Sequence, residues 1–488
     1  MDQNRRRSNR PAIAGIASVA IVVAIAAAAV ATGRLPGAGA ASSASIAAAA
    51  SRTAPATPGA SATARVQLRW FVFAGKQSLL MLDAIRSFAA EFNAANRDGI
   101  DVVVEAVTDA GYNDTAYDIL KTEIAAGNAP DIIGPIGLRD RNGFEGLLLD
   151  LTSRIARDHV DLGVYDSGAL KLLQVGGEQV GLPFTVDPSF IFYNKALFKA
   201  AGLPDLPTAV GDQYMGQVWD WNELGRVAAR LTLDSSGRNS TQPAFDPDNI
   251  TQFGFDFSGG DFRQIGSTFG SGTFVEPDGK TAQIPPVWAD AVDWYYSAMW
   301  TGHIAPTGKY QGGAFLGKDP IASGHLAKAV SQASSIAVDT APGGIPPNSW
   351  GMAVMPSWKG KTTAPLGVET FSITTGSRHP DEAFALMRAI EDDYGLPAAD
   401  GWMPGVVSAQ SGWYTGNHLS AGAVLTQMER YAAYPGPDEN MPSFTQSVND
   451  CAAFMTRLRS TPGLNMPKEL DALLMTLQRD WTSNPPLM

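Results

Sequence analysis

The sequence is poor in the residues that build cross-links and metal sites. Cys451 is the only cysteine among 488 residues, so no disulfide can form within the chain and no cysteine-based metal site is possible. Its helical spacing with Val448 and Met455 predicts a small buried residue. The five histidines are widely separated, and no HExxH, GxSxG, GxGxxG or Walker sequence occurs. We therefore expect no metal, no cofactor and no catalytic residue.

Charge is also scarce, and it is mostly of one sign. Charged residues make up 17% of the chain, with 48 acidic and 36 basic residues. Residues 1–65 hold seven arginines and one aspartate, so residues 66–488 carry a net charge of −18. A body this acidic repels phosphate backbones, which argues against nucleic acid as a partner. The length and the 45% hydrophobic content predict a globular chain of two lobes or more.

The amino-terminal region has the layout of an export segment followed by a tether. Four arginines within residues 5–10 precede an uncharged apolar run, as in an export signal. Because about 20 apolar residues also suffice to span a bilayer, an uncleaved membrane anchor at residues 12–32 stays open. We expect residues 1–36 to direct export or anchor the chain. Residues 37–65, mostly Ala, Ser, Thr and Pro, should form a flexible tether.

The first folded segments predict a parallel α/β sheet. Alternating apolar residues predict a strand over Val66–Phe73, and Asp101–Val107 predicts a second strand. An apolar face predicts a helix over Leu79–Asn93, and a further helix should end at Gly127. A third strand begins at Asp131. The order βαβαβ is typical of a parallel sheet with right-handed crossovers.

Later helices carry recognisable start signals. Asp220 and Glu223 have the spacing of a capping box, and Pro380 suits the first turn of a helix. Two further helices are expected near Phe444–Arg459 and Pro467–Trp481, without an assigned function.

Five short segments occur in a fixed order along the chain. They are AAGNAPDII at Ala125–Ile133, VGLPF at Val180–Phe184, YNKALFKAAGLP at Tyr193–Pro204, WGMAVMP at Trp350–Pro356 and GVETFSITTGSRHPDEAF at Gly367–Phe384. Together they resemble the extracellular solute-binding proteins that feed ABC importers, in the family that includes the maltose- and oligosaccharide-binding proteins. The resemblance extends from about Arg65 to Gln410.

The resemblance implies an α/β, two-lobe fold like that of periplasmic binding proteins, with discontinuous lobes joined by a hinge. It places chain crossings near Gly181–Thr185, Ala327–Thr340 and Gly367–Thr374. Lobe 1 would then comprise residues 66–184 and 328–368, and lobe 2 residues 185–327 and 369–488. Lobes joined by short strands can rotate around a ligand.

The resemblance also implies a sugar site between the lobes. Carboxylates pair with vicinal hydroxyls, and aromatic faces stack on sugar rings. Asp187 follows the first crossing, where related maltose binders place a carboxylate that touches sugar, and Glu369 follows the third crossing in the same way. Trp402 falls where relatives often have a stacking aromatic.

Four other residues are weaker candidates for ligand contact. Arg139 and Asp140 follow the third strand, at the sheet edge where open α/β sheets bind ligands. Trp70 ends the first strand and could face the cleft, although its alternation favours the core. Phe262, in the segment SGGDF, is the weakest of the four.

Together with the resemblance, these features predict an exported, monomeric receptor. It should close on a carbohydrate, either a sugar or an oligosaccharide, and deliver it to an ABC permease. Glycerol phosphate, a polyamine or another small polar solute stays open. Two other classes also stay open. A secreted carbohydrate-active enzyme would need two carboxylates about 5–10 Å apart, a spacing that is spatial and leaves no sequence pattern. A solute sensor would signal to a membrane partner instead of feeding transport.

Overall fold

The computed structural model describes residues 65–73, 79–95, 99–107, 114–144, 146–257, 261–270, 272–311, 313–317, 320–336, 349–393, 395–399, 401–417, 419 and 423–483. The predicted export segment at residues 1–36 and the tether at residues 37–65, except Arg65, lie outside the described residues. Within the described ranges, no helix is both long and apolar enough to cross a membrane.

The strands are β1 Val66–Phe73, β2 Ile100–Val107, β3 Ile132–Ile136, β4 Gln174–Val175, β5 Glu178–Gln179, β6 Thr185–Asn194, β7 Gln213–Tyr214, β8 Gln217–Val218, β9 Leu233–Asp234, β10 Ile250–Gln252, β11 Lys328–Gln332, β12 Trp350–Ala353, β13 Ser357–Trp358, β14 Lys361–Thr362, β15 Leu366–Ile373 and β16 Met403–Pro404.

The helices are α1 Leu79–Ala95, α2 Asp114–Ala125, α3 Leu138–Gly143, α4 Thr152–Arg157, α5 Ser167–Leu172, α6 Lys195–Ala200, α7 Trp221–Leu231, α8 Phe262–Phe269, α9 Pro286–Trp300, α10 Pro380–Glu391, α11 Gly395–Ala399, α12 Gln410–Gly416, α13 Ala423–Arg430, α14 Phe444–Ser460 and α15 Met466–Ser483. Short 3₁₀ turns occupy Leu162–Val164 and Val407–Ala409.

The main sheet confirms the predicted parallel start of the fold. Its strand order is β11-β6-β15-β3-β1-β2, and β12 and β16 also pair with β6. Strand β1 is parallel to both β2 and β3, with Trp70 opposite Val104 on one side and Ile132 on the other. Helices α1 and α2 connect these strands, as the order βαβαβ predicts.

Several local predictions are also confirmed. The Asp220 carboxylate caps α7 by accepting the Glu223 backbone N–H at 2.7 Å. The Glu223 side chain pairs with Arg226 at 2.6 Å. Pro380 is the first residue of α10. Cys451 is fully buried on α14.

Buried apolar side chains form separate cores that define two lobes. Lobe 1 surrounds the clusters that contain Leu68, Ile85 and Ile133. Lobe 2 surrounds a larger cluster that contains Phe190 and Trp221.

The cores divide the chain differently from the predicted boundaries. Residues 328–368 were expected in lobe 1, but β11 pairs with the lobe 2 part of β6, Val330 opposite Ile191, and Val330 lies in the lobe 2 core. Residues after 369 were expected in lobe 2, but Phe384 and Leu386 of α10 pack in the lobe 1 core. Local patterns identify a strand or helix, but its packing partner is set by distant parts of the chain.

Three chain segments lie side by side where the lobes meet. The Phe184 backbone N–H donates to the Glu369 carbonyl at 2.9 Å, and the Gly405 N–H donates to the Phe184 carbonyl at 2.9 Å. Thr185 pairs with Glu369 on one side and with Pro404 on the other. We call β6, β15 and β16 the crossing strands. Residues 403–404 thus form a crossing segment that was not predicted, while residues 337–340 of the crossing predicted near residues 327–340 lie outside the described residues.

Candidate functional site

Glu369 lies at the carboxyl edge of the lobe 1 sheet. Strand β3 ends at Ile136, and Gly137 leads into α3. A Cβ atom at Gly137 would lie 2.9 Å from Glu369 Oε1, so the carboxylate sits directly over the backbone of Gly137. Glu369 is half-buried. The glycine therefore makes room for a carboxylate at the sheet edge where open α/β sheets bind ligands.

Asp187 lies on β6, directly opposite Gly367 of β15. Its carboxylate is buried and accepts the Ser334 backbone N–H at 2.8 Å and the Ser334 hydroxyl at 2.8 Å. Burial raises the pKa of Asp187 to about 6, against the hydrogen bonds from Ser334, which lower it. The carboxylate thus holds the turn after β11 against β6, a structural role that the sequence did not indicate.

Trp402 lies beside Asp187, on the other edge of β6. It directly precedes Met403, which pairs with Val186. The Trp402 side chain is half-buried, and its backbone N–H donates to the Pro397 carbonyl at 3.0 Å. Glu369 stands two residues from the position opposite Asp187, on the same face of the sheet, and such diagonal neighbours are about 7–8 Å apart. The crossing strands therefore bring Asp187, Glu369 and Trp402 together.

Arg139 and Asp140 belong to α3, which starts one residue after Gly137. Their backbone places them at the same sheet edge as Glu369, while their side chains are outside the described part of the structure. Contact of either residue with a ligand stays a prediction.

Trp70 and Phe262 lie in the cores of their lobes. Trp70 has no exposed surface, donates its indole N–H to the Gly134 carbonyl at 2.9 Å, and packs edge-on against Phe371. Phe262 is 1% exposed and stacks on Phe274. Both side chains are buried in the cores, so the structure does not support the expectation that either of them contacts a ligand. Trp70 is buried because it lies on the face of its alternating strand that points into the core.

Two hydroxyl groups at this junction were not predicted. Thr185 and Ser189 flank Asp187 at a spacing of two residues, so all three side chains share one face of β6. Thr185 Oγ1 and Ser189 Oγ are buried without a hydrogen-bond partner among the described atoms. Such groups cost about 1–3 kcal/mol unless water or a ligand pairs with them. The polar alternation Thr-x-Asp-x-Ser is the sequence pattern that could have indicated these two hydroxyls beside Asp187.

The described part of lobe 2 also contains an open pocket of about 700 Å³ away from the crossing strands. Its lining includes Arg226, Trp294 and His303. None of the predicted site residues belongs to this lining. Among all residues that the structure describes, no group of three or more His, Cys, Asp or Glu side chains is placed to hold a metal ion.

The buried carboxylate of Glu429 is connected to crossing strand β16 by hydrogen bonds through a glutamine. Gln410 Nε2 donates to the Pro404 carbonyl at 3.2 Å and to Glu429 Oε2 at 3.3 Å. Glu429 is 2% exposed, and its Oε1 has no hydrogen-bond partner among the described atoms. Burial raises the pKa of Glu429 to about 7; Gln410 and Arg430 lower it, and Asp166 raises it.

Glu429 should make folding stability depend on pH. Because its pKa rises from 4.5 to about 7 on folding, the folded chain binds the proton more tightly than the unfolded chain. The resulting stabilisation is complete below pH 4.5 and is lost as pH rises through about 7. Between pH 5 and pH 8, the free energy of unfolding of the parent should therefore fall by roughly 2 kcal/mol more than that of Glu429→Gln. Denaturant unfolding of both proteins at the two pH values measures the difference, and parallel pH dependences would contradict the assignment.

The fold is similar to that of solved sugar-binding proteins. The structure superposes on the sugar-binding protein MalE from Xanthomonas citri with a TM-score of 0.65 and 17% identity, covering 86% of this chain and 100% of that chain. It superposes on an ABC substrate-binding protein from Listeria monocytogenes in complex with cycloalternan with a TM-score of 0.62 and 16% identity, covering 86% and 99%.

A cyclic α-maltosyl-1,6-maltose binding protein from Arthrobacter globiformis has the same fold, with a TM-score of 0.61, 18% identity and coverage of 86% and 100%. At these identities the similarity establishes the fold. No curated protein sequence matches the chain significantly. The family model of bacterial extracellular solute-binding proteins matches residues 80–393, which is more than half of the chain. The chain therefore belongs to the family of bacterial extracellular solute-binding proteins.

Proposed function

We propose that the protein is an exported receptor that closes on a carbohydrate and delivers it to an ABC-type permease. The observation that carries this proposal is the grouping of Asp187, Glu369 and Trp402 on the three crossing strands. The Glu369 carboxylate and protein hydroxyls can pair with the hydroxyls of a sugar, and an indole face can stack on its ring. Asp187, whose carboxylate is bonded to Ser334, holds the strand between them. Thr185 and Ser189 add two buried hydroxyls that have no protein partner among the described atoms.

Solved proteins of the same fold support the choice of ligand class. Their names and contents refer to maltose, to cycloalternan and to α-D-tagatose. The acidic groups at the crossing strands of this chain also disfavour an anionic solute such as glycerol phosphate, because like charges repel at a poorly hydrated site. Membership of the solute-binding family supports a receptor over an enzyme.

A ligand panel tests the proposal. Mono- and oligosaccharides, glycerol phosphate and a polyamine are added separately in a thermal-shift assay. A cognate sugar at a hundredfold excess over its Kd should stabilise the folded state by about 2.7 kcal/mol. Stabilisation by the polyamine or the phosphate alone would contradict a carbohydrate receptor. Chromatography of each oligosaccharide after incubation separates a receptor, which leaves it intact, from a secreted hydrolase.

Ligand binding should also change the shape of the protein. Lobes joined by short adjacent strands can rotate as rigid bodies around a solute. We expect small-angle scattering to give a smaller radius of gyration with the stabilising sugar than with a sugar that has no effect in the thermal-shift assay. An equal radius with both sugars at saturation would show that binding does not move the lobes.

We also propose that residues 1–36 direct the chain out of the cytoplasm and that residues 37–65 tether the folded part, with residues 12–32 able to remain as an anchor. The family description places such proteins outside the cell. Fractionation of the producing cells, followed by amino-terminal sequencing of the mature protein, tests cleavage against retention of this segment.

A further inference from the structure

The turn formed by residues 434–443 is fixed to lobe 2 by hydrogen bonds. The Phe274 backbone N–H donates to the Pro437 carbonyl at 3.1 Å, and the Thr273 hydroxyl donates to the Glu439 carbonyl at 2.7 Å. Met441 lies in the lobe 2 core. The turn therefore moves with lobe 2.

The side chain of Glu439 reaches from this turn to lobe 1. Arg141 of α3 contacts Glu439 Oε2 through Nη2 at 2.5 Å and donates through Nη1 to the Gln174 carbonyl at 2.6 Å. The Arg141 side chain is 1% exposed and that of Glu439 is 7% exposed. Helix α3 follows β3 directly in lobe 1, and Phe144, immediately after α3, lies in a lobe 1 core. A fully buried ion pair thus connects the two lobes.

Neighbouring polar groups extend this connection on both sides. Asn142 accepts from Arg141 through Oδ1 and donates to the Asp438 carbonyl at 3.4 Å. On the lobe 2 side, Arg263 contacts Asp438 at 3.5 Å and Asp261 at 2.9 Å. Arg141 of lobe 1 therefore faces a lobe 2 surface that carries Glu439 and Asp438, and Asp438 in turn contacts Arg263.

We propose that the Arg141–Glu439 pair is a latch that shifts the solute-free lobes toward the closed arrangement, which a bound solute then populates fully. The inference rests on the two-lobe motion of the proposed function and adds a device that controls it. Burying a charge costs free energy unless a partner of opposite charge is present. The lobes can consequently meet in this arrangement only while both members of the pair are present. If one member loses its charge, closing would bury the other charge alone, and the open arrangement, in which water reaches that charge, is favoured.

Small-angle scattering of the solute-free full chain tests the latch. Glu439→Gln keeps the shape of the side chain but removes its charge, and it should increase the radius of gyration. A charge exchange, Arg141→Glu combined with Glu439→Arg, restores an opposite pair and should return the radius toward that of the parent. The matched control is Glu391→Gln, which breaks the Arg388–Glu391 pair, also 2.5 Å long, inside lobe 1.

The outcomes separate the latch from general loosening. An unchanged radius in Glu439→Gln, or an increase of equal size in Glu391→Gln, would overturn the proposal. If Glu439→Gln does not fold, the charge exchange and Arg141→Gln, which leaves Glu439 as the unpaired charge, decide: the latch requires a parental radius in the first and an increased radius in the second. Because no solute is present, these results do not depend on whether the protein binds sugar.

Discussion

Replacing Gly405 with alanine is expected to destabilise the folded protein by about 3 kcal/mol or more, because the new methyl group meets backbone that cannot move aside. A Cβ atom at Gly405 would lie 2.0 Å from the Pro183 carbonyl oxygen and 2.5 Å from its carbon. Real side chains do not approach backbone atoms so closely. The Gly405 N–H also donates to the Phe184 carbonyl at 2.9 Å, so displacement of this segment would break a contact between crossing strands.

Gly412 provides the matched control for this substitution. It lies seven residues later in α12, and a Cβ atom there would have nothing within 4 Å. Because alanine favours a helix over glycine by about 0.5–1 kcal/mol, Gly412→Ala should be neutral or slightly stabilising. Denaturant unfolding of both variants measures the contrast. A Gly405→Ala protein as stable as the parent would show that the crossing strands can separate at little cost, and that their close packing does not define the hinge.

The sequence predicted those parts of the fold that depend on local patterns. Alternation and helical spacing identified β1, α1, β2 and the buried position of Cys451, because each pattern reports which face of an element is apolar. The resemblance to known binding proteins placed Asp187 and Glu369 after chain crossings, and the structure puts both on adjacent strands. Neither approach predicted that Ser334 would satisfy the Asp187 carboxylate, since the partner lies 147 residues away.

The errors have the same physical origin. Strand β11 was assigned to lobe 1 because the resemblance placed a chain crossing near Ala327–Thr340, whereas the strand pairs with β6 in lobe 2. Trp70 was considered for the cleft because it was expected to end the first strand, whereas the strand continues to Phe73 and the indole N–H is satisfied by a core carbonyl, that of Gly134. The latch pair Arg141–Glu439 spans 298 residues and depends on how two lobes meet, so nothing in the local sequence around either residue indicates it.

Replacing Trp402 with alanine should weaken binding of the cognate sugar by thirtyfold or more, about 2 kcal/mol, without a comparable loss of folding stability. The indole would supply an apolar face to a sugar ring beside Asp187 and Glu369. Because the side chain is only half-buried in the unliganded structure, the free energy of unfolding should change by about 1 kcal/mol or less, compared with about 3–5 kcal/mol for a core tryptophan. Titration calorimetry with the sugar, together with denaturant unfolding of the unliganded variant, measures both quantities.

Two further variants show whether the aromatic face itself is responsible. Trp402→Phe keeps an aromatic ring and should retain most of the affinity. Trp358→Ala is the control for losing a tryptophan elsewhere: this side chain is also half-buried, but it lies in the β13–β14 hairpin and donates to Asp290 at 3.1 Å, so sugar affinity should not change. Equal affinity losses in Trp402→Ala and Trp358→Ala would indicate an indirect effect of lost packing. Unchanged affinity in Trp402→Ala would remove the tryptophan from the site and leave the Glu369 carboxylate and the hydroxyls of Thr185 and Ser189 as the groups that hold the solute.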